Sequence, residues 1–377
     1  MKRGQYLTGR YFHLVIAAAL MIFMSANPTD AQTLNPTKDK PLVLKFSTYA
    51  AHNTIVGKES TWWAQELEKR TGGRVKVEFY WAQSLVKVTE SLDAVAKGIA
   101  DLSFIPVAYF HGKLPLSSCT ELIYVTDKPD AHAYACTELY KTYAPFRDEW
   151  EGQNLHVTQF HDSYSSVLIT KKKVNSLEDI KGLKIRGIGL ISEAIKLLGA
   201  VPVSLPGPEI YSAMERGVVD AVSGSAFDWT IAMRMYEVGP YITDAGVGIY
   251  ITLATVMNNT LWKKLPDDIK AVIDNLGQEF PKKSCEIMMA DNKVSIAKGV
   301  KEGAKLYTLP AQELQRWKNK VTPALWDNWL KSTEKPGVNV RECLKKFREI
   351  LPKYEAKSQF IGVFDQYGMM VKAGEIK

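Results

Sequence analysis

The sequence predicts an α/β protein of two similar lobes that face each other across a cleft. Three observations carry this expectation. The chain has 377 residues, more than one ordinary core holds, so two domains of about 100–200 residues each are expected. Strand and helix patterns alternate along it, which implies parallel sheets covered by helices. A short segment recurs in each half with the same residue types in the same order.

The elements follow in order. Pro41 to Thr48 places Leu42, Leu44 and Phe46 on one face with period two, a strand pattern. Gly57 to Arg70 reads as a helix, with Trp63 and Leu67 at i, i+4 and Gly72 as its end. Arg74 to Tyr80 alternates Val75, Val77 and Phe79, a second strand. Thr89 to Lys97 is helical, and Ala100 to Ile105 is a third strand. The pattern restarts near Leu155. Leu155 to Phe160, Ser166 to Thr170, Leu183 to Arg186, Val201 to Ser204 and Val218 to Ser223 read as strands. Helices are expected over Ile191 to Leu198 and Glu209 to Arg216, and a late strand over Tyr250 to Met257. From Pro266 to about Lys331 the chain is mostly helical, and a last helix runs from Arg341 to Ile350 beyond Pro336-Gly337.

The recurring segment is Ala94 to Asp101 against Ala213 to Asp220, at a constant offset. Each copy is a helix end, a glycine (Gly98, Gly217), a two-residue apolar step, an aspartate and a strand. Aromatic loops follow both, Pro106 to Phe110 and Gly224 to Trp229. Ligands of open α/β sheets lie beyond the carboxyl ends of the strands. Two such lobes would line one cleft with both loops.

The first 31 residues read as an export signal. Lys2, Arg3 and Arg10 precede an apolar run from Leu14 to Met24, and Thr29-Asp30-Ala31 supplies a small-x-small cleavage site. A helix of eleven residues is too short for a bilayer core of about 30 Å. A short membrane anchor is the rival reading. No cysteine stands at the cleavage point, so a lipoprotein is not expected. The expected location is the periplasm.

The net charge is +7, from 48 Lys+Arg against 41 Asp+Glu. Three of those bases belong to the export segment and the rest are scattered. Nucleic-acid binders gather their charge into a patch, so no nucleic-acid partner is expected. There is no His-Glu-x-x-His, Cys-x-x-Cys, Walker loop or Gly-x-Ser-x-Gly. The six histidines show no i, i+4 ligand pair. Neither a metal nor a cofactor is expected, nor a catalytic residue. Gly187-Ile188-Gly189 lacks the third glycine of a dinucleotide fingerprint, and reads as a turn whose amides favour an anion. The four cysteines, Cys119, Cys136, Cys285 and Cys343, allow three pairings or none.

Leu177 to Arg186 (LEDIKGLKIR) resembles the "EDLKGLKIR" signature of TRAP-transporter solute-binding proteins, the DctP-type extracytoplasmic receptors. Leu198-Gly199-Ala200 and Glu209 to Asp220 are similar to that family's "GA…E-Y-AL–GVVDG". Trp81 to Leu85 resembles its "PAGQLG" region, and Leu261 to Pro266 its "W–LP" helix start. The resemblance implies a two-lobe periplasmic binding protein, of Venus-flytrap type, with a long helix spanning both lobes. Residues 32–160 and 251–270 would form lobe I. Residues 161–250 and 271–377 would form lobe II with the spanning and C-terminal helices. It also implies capture of an organic acid and delivery to small and large TRAP membrane subunits. A homodimer through the C-terminal helices is a further expectation. A two-lobe receptor for another importer or a sensor kinase, and more remotely a secreted hydrolase, are the rival functions.

By the same resemblance, Arg186 pairs with the ligand carboxylate. A guanidinium fork matches a carboxylate bidentately, which agrees with that role. Departures narrow the ligand. Sialic-acid-type members carry a second arginine where this chain has Ser166. The family's ligand-binding asparagine is Gly224 here, and the metal-ligand glutamate of some α-keto-acid members is Ser223. The remaining candidates are aromatic: Tyr49, Trp81, Tyr109, Phe110, Phe227 and Trp229. Few polar partners and many rings point to a weakly polar monocarboxylate, aromatic or otherwise.

Overall fold

The period-two pattern of the first strand is realised as β1 (Leu42–Ser47), which buries Leu44 and Phe46 completely. The computed structural model describes residues 33–376, so the export segment expected at 1–31 lies outside the described residues. After β1 come β2 (Val75–Tyr80), β3 (Leu102–Pro106), β4 (Leu155–His161), β5 (Ser165–Thr170) and β6 (Lys184–Gly187). Then follow β7 (Val201–Ser204), β8 (Ala221–Ser225), β9 (Tyr241–Ile249), β10 (Leu253–Asn258) and β11 (Lys305–Thr308). They form two sheets, ordered β2-β1-β3-β10-β4 and β7-β6-β8-β5-β9-β11. One sheet centres each lobe.

The helices of the first lobe begin with α1 (Ile55–Arg70), α2 (Ser91–Ala96), α3 (Pro129–Thr142) and α4 (Ala144–Glu151). The Thr54 hydroxyl accepts from the Gly57 amide to start α1, which buries Trp63 and Leu67. The second lobe adds α5 (Gly189–Leu197), α6 (Ile210–Glu215) and α7 (Phe227–Ala232), and α8 (Asn259–Lys264) returns to the first. The chain closes with α9 (Asp267–Lys301), α10 (Ala311–Thr333), α11 (Val340–Glu355) and α12 (Val363–Lys372).

The two lobes repeat one design, and the recurring segment marks it. In the first, Asp101 accepts from the Lys45 amide at 2.8 Å, and its own amide donates to the Lys45 carbonyl at 3.0 Å. In the second, Asp220 accepts from the Lys184 amide at 2.8 Å and donates back at 2.7 Å. Gly98 and Gly217 hold φ of 73° and 71°, left-handed values that glycine adopts without penalty. Each aspartate thus ties the strand after it to its parallel neighbour, β3 to β1 and β8 to β6.

The sheets are mixed rather than parallel throughout. β1 runs parallel to β2 and β3, and β6 to β7 and β8. β10 is antiparallel to β3 and β4, and β5 to β8 and β9. The cause is the exchange between lobes. Asp162 to Tyr164 joins β4 to β5, and Tyr250 to Thr252 joins β9 to β10. The chain therefore leaves the first lobe along β4–β5 and returns along β9–β10 in the opposite direction, so the outgoing and returning strands pair antiparallel, β4 with β10 and β5 with β9.

Helix α9 spans both lobes. Its 35 residues extend about 50 Å. Ile269, Ile273, Leu276 and Phe280 are buried on the first-lobe side, against α1 and β4. Ile296 joins Ile231 and Met235 in the core of the second lobe. At Gly277 the helix comes so close to β4 that an added Cβ would lie 2.2 Å from the Thr158 carbonyl oxygen. Helix α10 packs Trp317 near Ile180 and Ile185, while Trp329 donates to Ser118 of the first lobe at 2.8 Å. The sequence reading groups 271–377 with the second lobe, whereas α11 packs on α3 of the first. There Phe347 meets His132 edge-on, and the Cys343 sulfur lies 3.4 Å from that of Cys119. All four cysteines are free and buried. No helix among the described residues is long and apolar enough to cross a membrane.

Candidate ligand-binding site

Arg186 lies near the carboxyl end of β6, at the second lobe's edge of the cleft. Its side chain is only 1 % exposed. Nε donates to the Leu205 carbonyl at 3.0 Å, and Nη1 to the carbonyls of Ser223 and Gly224. Nη2 is 3.5 Å from the Tyr109 hydroxyl oxygen. Every one of these partners is neutral. A buried charge is costly when no opposite charge meets it. The carbonyls fix the fork's orientation and leave its charge to be matched by an anion.

Local backbone makes this grip. Gly224 has φ +66°, which turns its carbonyl toward Arg186, and an added Cβ would stand 3.6 Å from Nη1. The Ser166 hydroxyl accepts from the Gly224 amide at 2.9 Å. Ser166 therefore positions the end of β8, whose carbonyls hold Arg186.

The first lobe reaches across the cleft with two tyrosines. Tyr109 follows β3, and its hydroxyl accepts from the Gly207 amide at 3.2 Å as well as meeting Arg186. The Tyr49 and Trp229 rings lie 5.6 Å apart, one from each lobe. Gly189 brings the lobes together at the rim: an added Cβ would be 3.0 Å from that of Ala108. Burial pushes the Tyr49 and Tyr250 phenols up, against a downward pull from Arg186, so both stay protonated donors.

One cavity collects Arg186 with Tyr49, Tyr109, Gly224 and Trp229, all named from the sequence. Ser166 and Phe227 border a neighbouring cavity instead, and Phe227 also packs into the second-lobe core. Trp81 reaches neither; it stacks on Phe79 at 4.3 Å, beyond the edge strand β2. Phe110 is buried in the core. Among the lining residues the sequence did not single out are Asp228, Tyr164 and Tyr250. The tyrosines lie in the two inter-lobe connections, and Asp228 sits between Phe227 and Trp229 on α7. Burial raises the Asp228 carboxyl to about 7. No group of three or more His, Cys, Asp or Glu among the described residues could hold a metal ion.

Two mixed lobes joined by short crossings, and meeting over a buried arginine, define a two-lobe solute-binding protein. The sequence model described as bacterial extracellular solute-binding protein, family 7 (DctP) matches residues 46–332. The chain belongs to this family and is a TRAP-type extracytoplasmic receptor. The C4-dicarboxylate-binding periplasmic protein DctP of Rhodobacter capsulatus is 26 % identical over 316 residues, 82 % of this chain and 90 % of that protein. A TRAP periplasmic solute binding protein from Desulfovibrio salexigens has 30 % identity and a TM-score of 0.71, covering 84 % of this chain and 98 % of that one. A TRAP solute binding protein from Rhodoferax ferrireducens, in complex with copurified benzoate, has 26 % identity and a TM-score of 0.76. That match covers 84 % of this chain and 99 % of the other.

Proposed function

We propose that the protein captures an organic monocarboxylate in the periplasm through Arg186 and delivers it to the small and large membrane subunits of a TRAP transporter. The observation that carries this reading is the buried guanidinium of Arg186, bonded only to neutral oxygens. A carboxylate supplies the missing charge and accepts from the fork. Closing the lobes desolvates both partners and strengthens their attraction. Domain closure is then the signal that the membrane subunits read.

A single carboxylate is favoured because Arg186 is the one cation among the described residues that line the cavity. Tyr49, Tyr109 and Trp229 offer ring surface to an apolar body, in keeping with the benzoate of the Rhodoferax ferrireducens relative. The dicarboxylate of the Rhodobacter capsulatus relative would need a second cationic partner. The reading includes no catalysis: the site binds, closes and releases.

Mass spectrometry of the small molecules released by denaturing the natively purified protein tests this reading. A monocarboxylic acid near one per chain is expected from the wild type and none from Arg186→Ala. A sugar, a dicarboxylate or a ligand retained by Arg186→Ala would overturn it.

A further inference from the structure

We propose that Asp228 is a specificity-determining residue of the cleft: it selects an organic acid that carries a hydroxyl or N–H donor opposite its carboxylate, and turns away a second carboxylate. This rests on the reading of Arg186 as the carboxylate anchor. Asp228 stands in the first turn of α7 and is 6 % exposed. It lines the same cavity as Arg186. Its Oδ1 is buried and has no hydrogen-bond partner among the described residues. The Tyr164 hydroxyl, also lining that cavity, is likewise buried and without a partner. Buried polar atoms are nearly always hydrogen-bonded, so two open ones beside a ligand cavity mark where a ligand's polar group belongs.

The two polar ends are separate. Arg186 is tied to Leu205, Ser223 and Gly224. Asp228 has partners of its own on α7 and α1, where the amides of Trp229 and Ile55 approach its carboxyl. The Asp291 and Glu59 carboxyls, from α9 and α1, raise its pKa further, Asp291 being paired with Lys58 and Glu59 itself raised to about 8 by burial. A second carboxylate on the ligand would meet the Asp228 carboxyl, with no further cation among the described residues that line the cavity to pair with it. A hydroxyl or N–H donates to Asp228 whether that carboxyl is ionised or protonated. Burial holds its pKa near 7, so both forms are populated at neutral pH. A site built to bond a substrate hydroxyl rejects the analogue lacking it far more strongly than an apolar pocket separates homologues.

The test is calorimetric titration with matched pairs: benzoate and its 3- and 4-hydroxy forms, phenylacetate and its hydroxylated forms, 3-methylbutanoate and 3-hydroxy-3-methylbutanoate, with succinate alongside. The wild type is expected to bind a hydroxylated member at least tenfold more tightly than its parent, and succinate more weakly than either. Asp228→Leu should erase that preference while still binding the parent acid. Asp228→Asn, which keeps the size and an acceptor, should retain most of it and guards against a folding defect. Preference that survives in Asp228→Leu, or acids bound by the wild type without discrimination, overturns the proposal alone. Binding that survives Arg186→Ala overturns the anchor, and failure of every acid to bind overturns both.

Discussion

The Tyr109 hydroxyl of the first lobe lies 3.5 Å from Nη2 of Arg186 in the second, and accepts from the Gly207 amide beside it at 3.2 Å. One phenol thus spans the cleft at the point where the carboxylate is expected. Removing that oxygen removes contacts between the two lobes. Tyr109→Phe should weaken ligand binding by about two- to tenfold, the range for one hydrogen bond. The melting temperature without ligand should hardly move. Calorimetry paired with thermal unfolding checks this, and unchanged affinity would remove Tyr109 from the closing contacts.

Arg186→Lys separates charge from shape. A lysine keeps one positive charge but cannot offer a planar fork or bond Leu205 and Gly224 together. Affinity should fall about 100-fold, nearly as far as in the alanine variant. Retention of wild-type affinity would mean that charge alone suffices.

The approach of α9 to β4 makes a stability prediction. At Gly277 an added Cβ would sit 2.2 Å from the Thr158 carbonyl oxygen, so the helix must shift. Gly277→Ala should cost about 1–3 kcal/mol, the usual range for overpacking. Gly368, in α12, has open space around it, and Gly368→Ala should be neutral or stabilising by up to about 1 kcal/mol. Thermal unfolding of both variants tests whether the close approach, rather than glycine content, sets the difference.

A buried acid gives stability a pH dependence. Glu59 accepts from Ser284 of α9 at 2.5 Å and pairs with His161 of β4 at 3.1 Å. Burial raises its carboxyl from 4.5 to about 8. The folded protein then holds the proton more tightly than the unfolded chain. That contribution is full below 4.5 and is lost as pH rises through 8. His161 acts in the opposite sense. Burial lowers it from 6.5 to about 3, so its contribution is present above 6.5 and is lost as pH falls through 3. Between pH 6.5 and 8 Glu59 is the member of the pair that titrates. Glu59→Gln should therefore lose less stability across that window than the wild type. Identical pH slopes in thermal unfolding would contradict the assignment.

Much of this architecture was legible because it is local. Alternation in Leu42–Ser47, the glycine at each helix end and the two aspartates locate equivalent strands without reference to the rest of the chain. Arg186, Tyr49, Tyr109, Gly224 and Trp229 follow, because each lies at or just beyond a strand's carboxyl end. The errors are of a different kind. Trp81 also follows a strand, but β2 is an edge strand, and sheet order is set by pairings that spacing does not reveal. Strand β9 was missed because Gly246 and Gly248 interrupt its apolar pattern. Asp228 looks in sequence like an ordinary acid at a helix start. Tyr164 and Tyr250 gain their positions only when two crossings pack side by side.

Arg186 is the group proposed to meet the ligand's carboxylate. Isothermal titration of the wild type and Arg186→Ala, with the acid recovered from the native protein, tests it most directly. One site per chain is expected in the wild type. At least a 100-fold loss of affinity is expected in the variant, with cooperative unfolding intact. Equal affinities in a folded variant would contradict it.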